Sequence, residues 1–490
     1  MLPRTAAAAL SLLCALAIAA FPTHAQDSPP EIQGPVSGGA GSPFIQGTSF
    51  DLSEVGYSQT EYFVSGTARS FTSATPLASD GRWSTAPDES APYKTRIVVH
   101  RPLKRWKFNG SVIVEWLNVS GGLDASPDWT FLHTEITRRG YAWVGVSAQF
   151  VGVEGGDGLI PGLPSLSLKA VDPARYASLS HPGDSFSYDI YSQVAQALRE
   201  PGAVDPLDGL RPKRILAVGE SQSAFRMVSY INGVHPLHRL YDGFLVHSRG
   251  GSAAPLSQED EGLIPSPSPA FVRDDLEEPV LIFQTETDLG LLGFLPDRQP
   301  DTDRIRLWEV AGTAHVDAYT TTVGPGDRGD SPDAMGVVFV TDVVPGIISC
   351  PLPVNSGPQH VVLKAALHAL HLWIKRGRIP PTAPRLQVAG DPATIQRDAL
   401  GNALGGVRTP WVDVPVAAHA GDGQDGSILC ALFGTSSPLD PSTLSSLYPS
   451  HRAFRNAFAR SAREARKAGF IRPRDASLMR RWARRSEIGD

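Results

Sequence analysis

The stretch Arg214-Ile-Leu-Ala-Val-Gly-Glu-Ser-Gln-Ser-Ala-Phe225 decides how this chain is expected to fold. An apolar, partly β-branched run ends at Gly219, Ser221 follows two residues later, and a helix-compatible segment begins at once. The pattern predicts a strand, a tight turn and a helix that meet at Ser221, which is the context of a nucleophile elbow. The alternative is an ordinary capped helix start after a buried strand.

One position departs from the usual G-x-S-x-G elbow, because Ser223 stands where the second glycine is expected. The turn needs a small side chain there, since a bulky one would collide with the neighbouring strand. Serine meets this requirement, so the motif still favours Ser221 as a serine exposed on a sharp turn.

Strands and helices alternate on both sides of this stretch. Strands are predicted at 61–69, 94–100, 111–117, 141–147, 214–218, 242–247, 279–284 and 305–310, and helices at 127–139, 188–199 and 222–232. This alternation predicts an α/β fold with a mostly parallel central sheet and helices on both faces.

Candidate reactive groups follow the predicted strands, because active groups in such sheets collect beyond the carboxyl ends of the strands. Ser221, the turn Thr285-Glu-Thr-Asp288 and the turn Ala311-Gly-Thr-Ala-His315 each come directly after a strand. They supply a nucleophile, an acid and a histidine in the chain order of a Ser–acid–His triad. The sequence therefore predicts hydrolase chemistry.

Each candidate has a role that the chemistry assigns. His315 is the predicted base that takes the Ser221 proton. Asp288, three residues beyond Thr285, is the favoured acid, while Glu286 is the alternative acid or a brace for the turn. The oxyanion is expected to bind the N–H of Gln222 and a second N–H from the loop after strand 111–117, that of Val119 or Ser120.

The segments G-E-S-Q-S-A, H-S-R-G-G (His247 to Gly251) and W-E-V-A-G-T-A-H (Trp308 to His315) resemble those of the α/β-hydrolase superfamily. More narrowly they resemble an exported bacterial group known as alpha/beta hydrolase domain proteins, over nearly all of the chain after its leader. The resemblance implies hydrolysis of a carboxylic ester or related acyl bond of a small molecule, without a cofactor. A peptidase or amidase with the same triad and a catalytically silent binding protein of the same fold are the alternatives.

The chain divides into a leader and one catalytic domain. Residues 1–25 have the Arg4 n-region, apolar core and small final residue of a cleaved signal peptide, which predicts a secreted or periplasmic protein. Residues 26–45 are expected to be a flexible leader, and 46–490 a single domain. Insertions are expected at about 148–185, 248–275 and 316–355, and a C-terminal extension from about 380.

The net charge indicates which binding partners are not expected, and the cysteine content indicates the compartment in which the protein folds. The formal net charge is −6, and loss of Arg4 with the signal peptide makes it −7. This balance gives no electrostatic reason to expect nucleic acid or an anionic membrane as a partner. Of 3 cysteines, Cys14 leaves with the signal peptide, so Cys350 and Cys430 are predicted to form a disulfide in an oxidising compartment.

Specificity is less visible in the sequence. Trp116, Trp129 and Phe150 are candidates to line a pocket, although packing in the core is the favoured interpretation for each of them singly. The segment 294–303, with its three aspartates, is best interpreted as a solvated turn, and no metal site is expected there or elsewhere. The arginine-rich segment 452–485 has interleaved apolar residues, which favour an amphipathic helix packed on the domain.

Overall fold

The structure is a computed structural model that describes residues 29–156, 158, 165–258 and 262–489. The predicted signal peptide, residues 1–25, lies outside the described residues. The strands are β1 (Glu31–Gln33), β2 (Tyr57–Thr72), β3 (Ala86–Pro102), β4 (Ser111–Trp116), β5 (Ala142–Val146), β6 (Arg214–Glu220), β7 (Gly243–His247), β8 (Val280–Gln284), β9 (Ile305–Glu309), β10 (Asp342–Val344), β11 (Ile348–Ser349), β12 (Val388–Ala389), β13 (Thr394–Ile395), β14 (Ala417–Ala420) and β15 (Thr435–Pro438).

The α-helices lie between these strands and beyond the last of them. They are α1 (Pro127–Arg139), α2 (Phe150–Val153), α3 (Leu168–Val171), α4 (Pro173–Tyr176), α5 (Ser187–Arg199), α6 (Gln222–Ser229), α7 (His235–His238), α8 (Glu286–Gly290), α9 (Gln359–Arg376), α10 (Pro410–Asp413), α11 (Ile428–Phe433), α12 (Pro441–Leu447), α13 (His451–Ala468) and α14 (Pro473–Arg485).

Nine strands form the central sheet in the order β1-β2-β3-β5-β4-β6-β7-β8-β9. The six strands from β5 to β9 in this order are parallel, while β1, β2 and β3 form an antiparallel edge. All residues of β4 are buried, as expected for a strand covered on both faces. The prediction of an α/β fold with a mostly parallel sheet is confirmed.

Alternating side chains of the sheet bury themselves in two different cores. Val112 and Val114 of β4 join a cluster that contains α5 and α6 residues, whereas Ile113 joins a cluster built with α1 and α9. The period-2 alternation of a strand places these neighbours on opposite faces. Helices therefore cover both faces of the sheet, and the loops that carry Ser221, Asp288 and His315 follow the carboxyl ends of β6, β8 and β9.

Three predicted elements have clearly different bounds in the structure. The strands expected at 61–69 and 94–100 are parts of the long hairpin β2–β3, whose outer halves contain Ser, Thr and Pro and lack a clear apolar alternation. The helix expected at 222–232 is α6 followed by a π-helical turn, Tyr230–Val234.

The prediction of a flexible leader at 26–45 is wrong for the described part of that segment. β1 pairs antiparallel with β2, and Ile32 is buried in the core. Farther along, Arg175 donates hydrogen bonds to the carbonyls of Val36 (3.2 Å) and Gly38 (2.6 Å). The buried Ile32 and the pairing of β1 with β2 hold the segment on the sheet. One apolar residue in a segment rich in Ser, Pro and Gly does not predict a strand, so the sequence did not indicate this pairing.

The C-terminal segment packs on the sheet domain through its own small core. Phe454 and Phe458 of α13 and Met479 of α14 are buried together with Trp411. Arg472 also contacts Glu135 of α1 at 2.9 Å. The expected amphipathic packing of the arginine-rich segment is confirmed, as two helices rather than one. Across the described ranges, no helix has both the length and the apolar character to cross a membrane.

Candidate active site

Ser221 lies on a sharp turn between β6 and α6. Its φ of 57° and ψ of −123° are a rare conformation for a residue with a side chain, and its N–H donates to the His247 carbonyl at 3.0 Å. A Cβ at Gly219 would lie 3.1 Å from the Ser223 carbonyl oxygen and 3.2 Å from its Cβ. Small residues at both positions therefore allow the strand and helix to approach, as the sequence predicted for Ser223.

Ser221, His315 and Asp288 meet in one chain of hydrogen bonds. His315 Nε2 is 2.7 Å from Ser221 Oγ, and His315 Nδ1 is 2.6 Å from Asp288 Oδ1. His315 and Asp288 are buried, while Ser221 remains partly exposed. The structure thus brings together the three residues that the sequence placed after three separate strands.

The turn Thr285–Asp288 orients the acid and the histidine together. Thr285 caps α8, and its N–H donates to Asp288 Oδ2 at 2.6 Å, which leaves Oδ1 for His315. Thr287 Oγ1 accepts the main-chain N–H of His315 at 3.2 Å and donates to the Gly421 carbonyl. Both the ring and the backbone of His315 are therefore held by α8.

Glu286, the alternative acid, faces away from His315. Its carboxylate accepts the N–H groups of Gly312 (2.6 Å) and Gly421 (3.2 Å), and Arg397 lies 2.9 Å from it. Burial raises the pKa of Glu286, while Arg397 and the backbone donors oppose that shift. These contacts tie the acid turn to the histidine turn and to the loop before β15.

The predicted oxyanion donors are not equally available. Ser120 N–H already donates to Asn118 Oδ1 at 2.8 Å. The N–H groups of Val119 and of Gln222, the first residue of α6, contact no acceptor among the residues that the structure describes. Of the three predicted donors, Val119 and Gln222 are therefore the two whose N–H groups have no such partner.

Glu220 and Asn118, to which the sequence assigned no role, adjoin this group: Glu220 contacts His315, and Asn118 contacts Glu220. Glu220 Oε1 is 3.3 Å from His315 Nε2, so a second carboxyl lies beside the imidazole. Asn118 Nδ2 donates to Glu220 Oε2 (3.2 Å) and to the Glu220 carbonyl (3.1 Å). A charged residue at the end of the apolar run 214–218 was the only sequence signal of this arrangement.

A network of buried polar side chains lies next to the turn that carries Ser221. His247, whose carbonyl accepts the Ser221 N–H, places its Nδ1 2.9 Å from Asp128 Oδ1. Gln359 Nε2 lies 3.0 Å from His247 Nε2 and donates to the His315 carbonyl at 3.4 Å. The motif beginning at His247 thus supports the site without facing Ser221 through its side chain.

The electrostatics of the site favour a more basic imidazole. Burial lowers the pKa of His315, but the carboxyl groups of Glu220 and Asp288 outweigh this effect, and the pKa stands above its ordinary value. Burial also raises the pKa of Glu220 to about 7, against the opposing effect of His315 and His247. Two acids therefore stabilise positive charge on one ring.

The family is defined by a sequence comparison. The sequence profile of the family described as "Alpha/beta hydrolase domain" matches residues 32–481. The chain belongs to this family. No curated protein matches the sequence of this α/β-hydrolase.

Solved structures similar to this α/β-hydrolase include enzymes named as esterases. A glucuronoyl esterase from Solibacter usitatus is 10% identical with a TM-score of 0.27, over 59% of this chain and 82% of that one. An acetyl xylan esterase from Thermoanaerobacterium is 12% identical with a TM-score of 0.23, over 42% and 52%. An α/β serine hydrolase without a lid from Xanthomonas campestris is 10% identical with a TM-score of 0.24, over 45% and 80%.

A disulfide joins two segments that hold the histidine turn of the α/β-hydrolase. Cys350 and Cys430 are bonded, with Cα atoms 5.5 Å apart and a separation of 80 residues in sequence. On one side, Asn355 accepts the Ala318 N–H at 2.7 Å; on the other, Leu432 accepts the Val316 N–H at 3.1 Å. The predicted pairing is present and lies beside the site.

Of the three aromatic residues predicted as possible pocket lining, two lie in the core and one lies at the surface. Trp116 and Trp129 are fully buried in the core, whereas Phe150, at the start of α2, keeps 40% of its surface exposed. The prediction of a solvated turn is wrong for Asp297, which is buried and pairs with Arg249 at 2.5 Å. Over the described part of the chain, no cluster of His, Cys, Asp and Glu could hold a metal ion.

Proposed function

We propose that this α/β-hydrolase is an exported serine hydrolase that cleaves carboxylic esters of small molecules through an acyl-enzyme on Ser221. The observation that carries the proposal is the continuous hydrogen-bonded path from Ser221 Oγ through His315 to Asp288, at 2.7 and 2.6 Å. A neutral serine hydroxyl needs such a base within hydrogen-bond reach to attack a carbonyl carbon.

In this mechanism His315 Nε2 takes the Ser221 proton while Oγ attacks the ester carbonyl. Asp288 holds Nδ1–H and stabilises the imidazolium that forms. The N–H groups of Gln222 and Val119 bind the negative oxygen of the tetrahedral intermediate. His315 then gives the proton to the departing alkoxide, and water, deprotonated by the same nitrogen, releases the acid from Ser221.

Export and substrate class complete the proposal. The Cys350–Cys430 disulfide supports an oxidising compartment, in agreement with the signal-peptide pattern of residues 1–25. An ester is the assigned acyl donor because its alkoxide departs more readily than the amine of an amide, so it demands less proton transfer from His315.

A substrate panel tests the proposal. The full mature chain is assayed on p-nitrophenyl esters of increasing acyl length and on matched peptide amides, beside Ser221→Ala. We expect turnover of esters, little turnover of amides, and loss of the catalysed rate in Ser221→Ala. Faster turnover of amides would indicate a peptidase or amidase, and no turnover of either by folded wild type would indicate a binding protein.

A further inference from the structure

The imidazole of His315 is flanked by carboxyl groups on both of its nitrogens. Asp288 contacts Nδ1 at 2.6 Å, and Glu220 Oε1 lies 3.3 Å from Nε2, the nitrogen that also contacts Ser221 Oγ. The triad mechanism uses the first carboxylate and leaves the second without a role. Nε2 is the atom that takes the proton of Ser221. A negative charge beside Nε2 therefore stabilises the protonated form of the ring.

Glu220 is held in this position rather than free to turn into solvent. Its side chain is 5% exposed. Asn118 Nδ2 binds both Oε2 and the main-chain carbonyl of Glu220, which leaves Oε1 directed at His315. Asn118 in turn accepts the Ser120 N–H, so the position of the Glu220 carboxyl is linked to the loop that supplies the Val119 N–H.

We propose that Glu220 is a positioning residue for His315. The Glu220 carboxylate stabilises the His315 imidazolium and keeps the Nε2–H of that ring beside Ser221 Oγ during the reaction. The inference rests on the proposed function, since it concerns the same proton transfer. When Ser221 loses its proton to Nε2, the new N–H lies between the serine oxygen and Glu220 Oε1. Glu220 takes no proton in this step, and the proton passes from Nε2 to the leaving alkoxide.

The charge state of Glu220 follows from all the groups that face it. His315 and His247 favour the carboxylate, while Asp128 and Asp288 favour the neutral acid. Burial has the largest effect: it also favours the neutral acid and raises the pKa of Glu220 to about 7. Above that pH Glu220 is ionised and makes His315 harder to deprotonate, so the acid limb of the pH–rate profile belongs to the Glu220–His315 pair.

The test compares the acid limb of kcat/KM, and of the rate constant for fluorophosphonate labelling, in wild type, E220Q and E220D. In E220Q the amide oxygen stays with Asn118, so the amide NH2 faces Nε2 and no negative charge remains beside that nitrogen. We expect the limb to move down by about 1 to 3 pH units, the change produced by removing an opposite charge at this distance. E220D, which retains the charge at a greater distance, should recover part of that shift.

E286Q is the matched control, because it removes another buried carboxylate near the histidine turn that does not contact His315. It should keep the wild-type limb, whereas a general structural disturbance would move both variants alike. If E220Q does not fold, E220D decides: a limb below that of wild type supports the inference, and an unchanged limb overturns it.

Failure of the inference and failure of the proposed function give different results. A wild-type protein that labels on Ser221, together with an E220Q limb equal to that of wild type, overturns the role of Glu220 alone. A folded wild type that neither labels nor turns over esters overturns both.

Discussion

Replacing Asp288 by asparagine should nearly abolish catalysis, through the tautomer of His315. Asp288 Oδ2 accepts the Thr285 N–H at 2.6 Å, a bond that the amide can keep only with its oxygen. The amide NH2 must then face His315 Nδ1, which cannot carry a proton beside a donor. The proton moves to Nε2, and the ring no longer accepts the Ser221 proton. We expect kcat/KM to fall about 10⁴-fold, or about 5.5 kcal/mol of transition-state stabilisation.

The comparison variant is Glu286→Gln, measured on the same p-nitrophenyl ester with thermal denaturation as a check of folding. It keeps one oxygen for the Gly312 N–H and loses charge beside Arg397, so it should lower stability by about 1–3 kcal/mol and retain most of kcat/KM. An inactive Glu286→Gln together with an active Asp288→Asn would refute this assignment of the acid.

Three further predictions concern the base, the elbow and the disulfide. The kcat/KM of wild type should fall as the pH drops through a pKa above the ordinary histidine value, because only the neutral His315 ring is a base. Burial lowers the pKa of His315, but Glu220 and Asp288 raise it by more. A pH–rate profile with its acid limb below about 6.5 would contradict this prediction. Ser223→Leu should cost about 1–3 kcal/mol of stability in thermal denaturation, since the side chain is fully buried against Gly219, and a neutral result would show that the elbow has room. Replacing both Cys350 and Cys430 by serine should lower the free energy of unfolding in urea by about 4.5 kcal/mol, from closure of a loop of 80 residues, and unchanged stability would argue against this contribution.

The parallel core of the sheet could be predicted because its strands are short, continuous apolar runs. Each of the runs beginning at Ser111, Arg214 and Val280 is buried on both faces, so composition alone marks it. The bounds of the antiparallel edge strands could not be predicted in the same way. The outer halves of β2 and β3 carry Ser, Thr and Pro, and Ile32 is the only buried residue of β1.

The hydrogen-bonded arrangement of Ser221, His315 and Asp288 could be predicted in kind, because each of the three follows a strand. What a linear pattern could not show is direction: Glu286 and Asp288 are two residues apart on one turn, yet only Asp288 faces the ring. Glu220 and Asn118 contact each other 102 residues apart in sequence. Their pairing depends on the register of β4 with β6, which apolar patterns do not specify.

Ser221 is proposed to be a nucleophile activated by His315. The most direct test is incubation of the folded protein with a fluorophosphonate, followed by mass spectrometry of the intact chain and its peptides. We expect one adduct per chain, on the peptide containing Ser221, and none in Ser221→Ala. No adduct on folded wild type, or an adduct on a different residue, would contradict it.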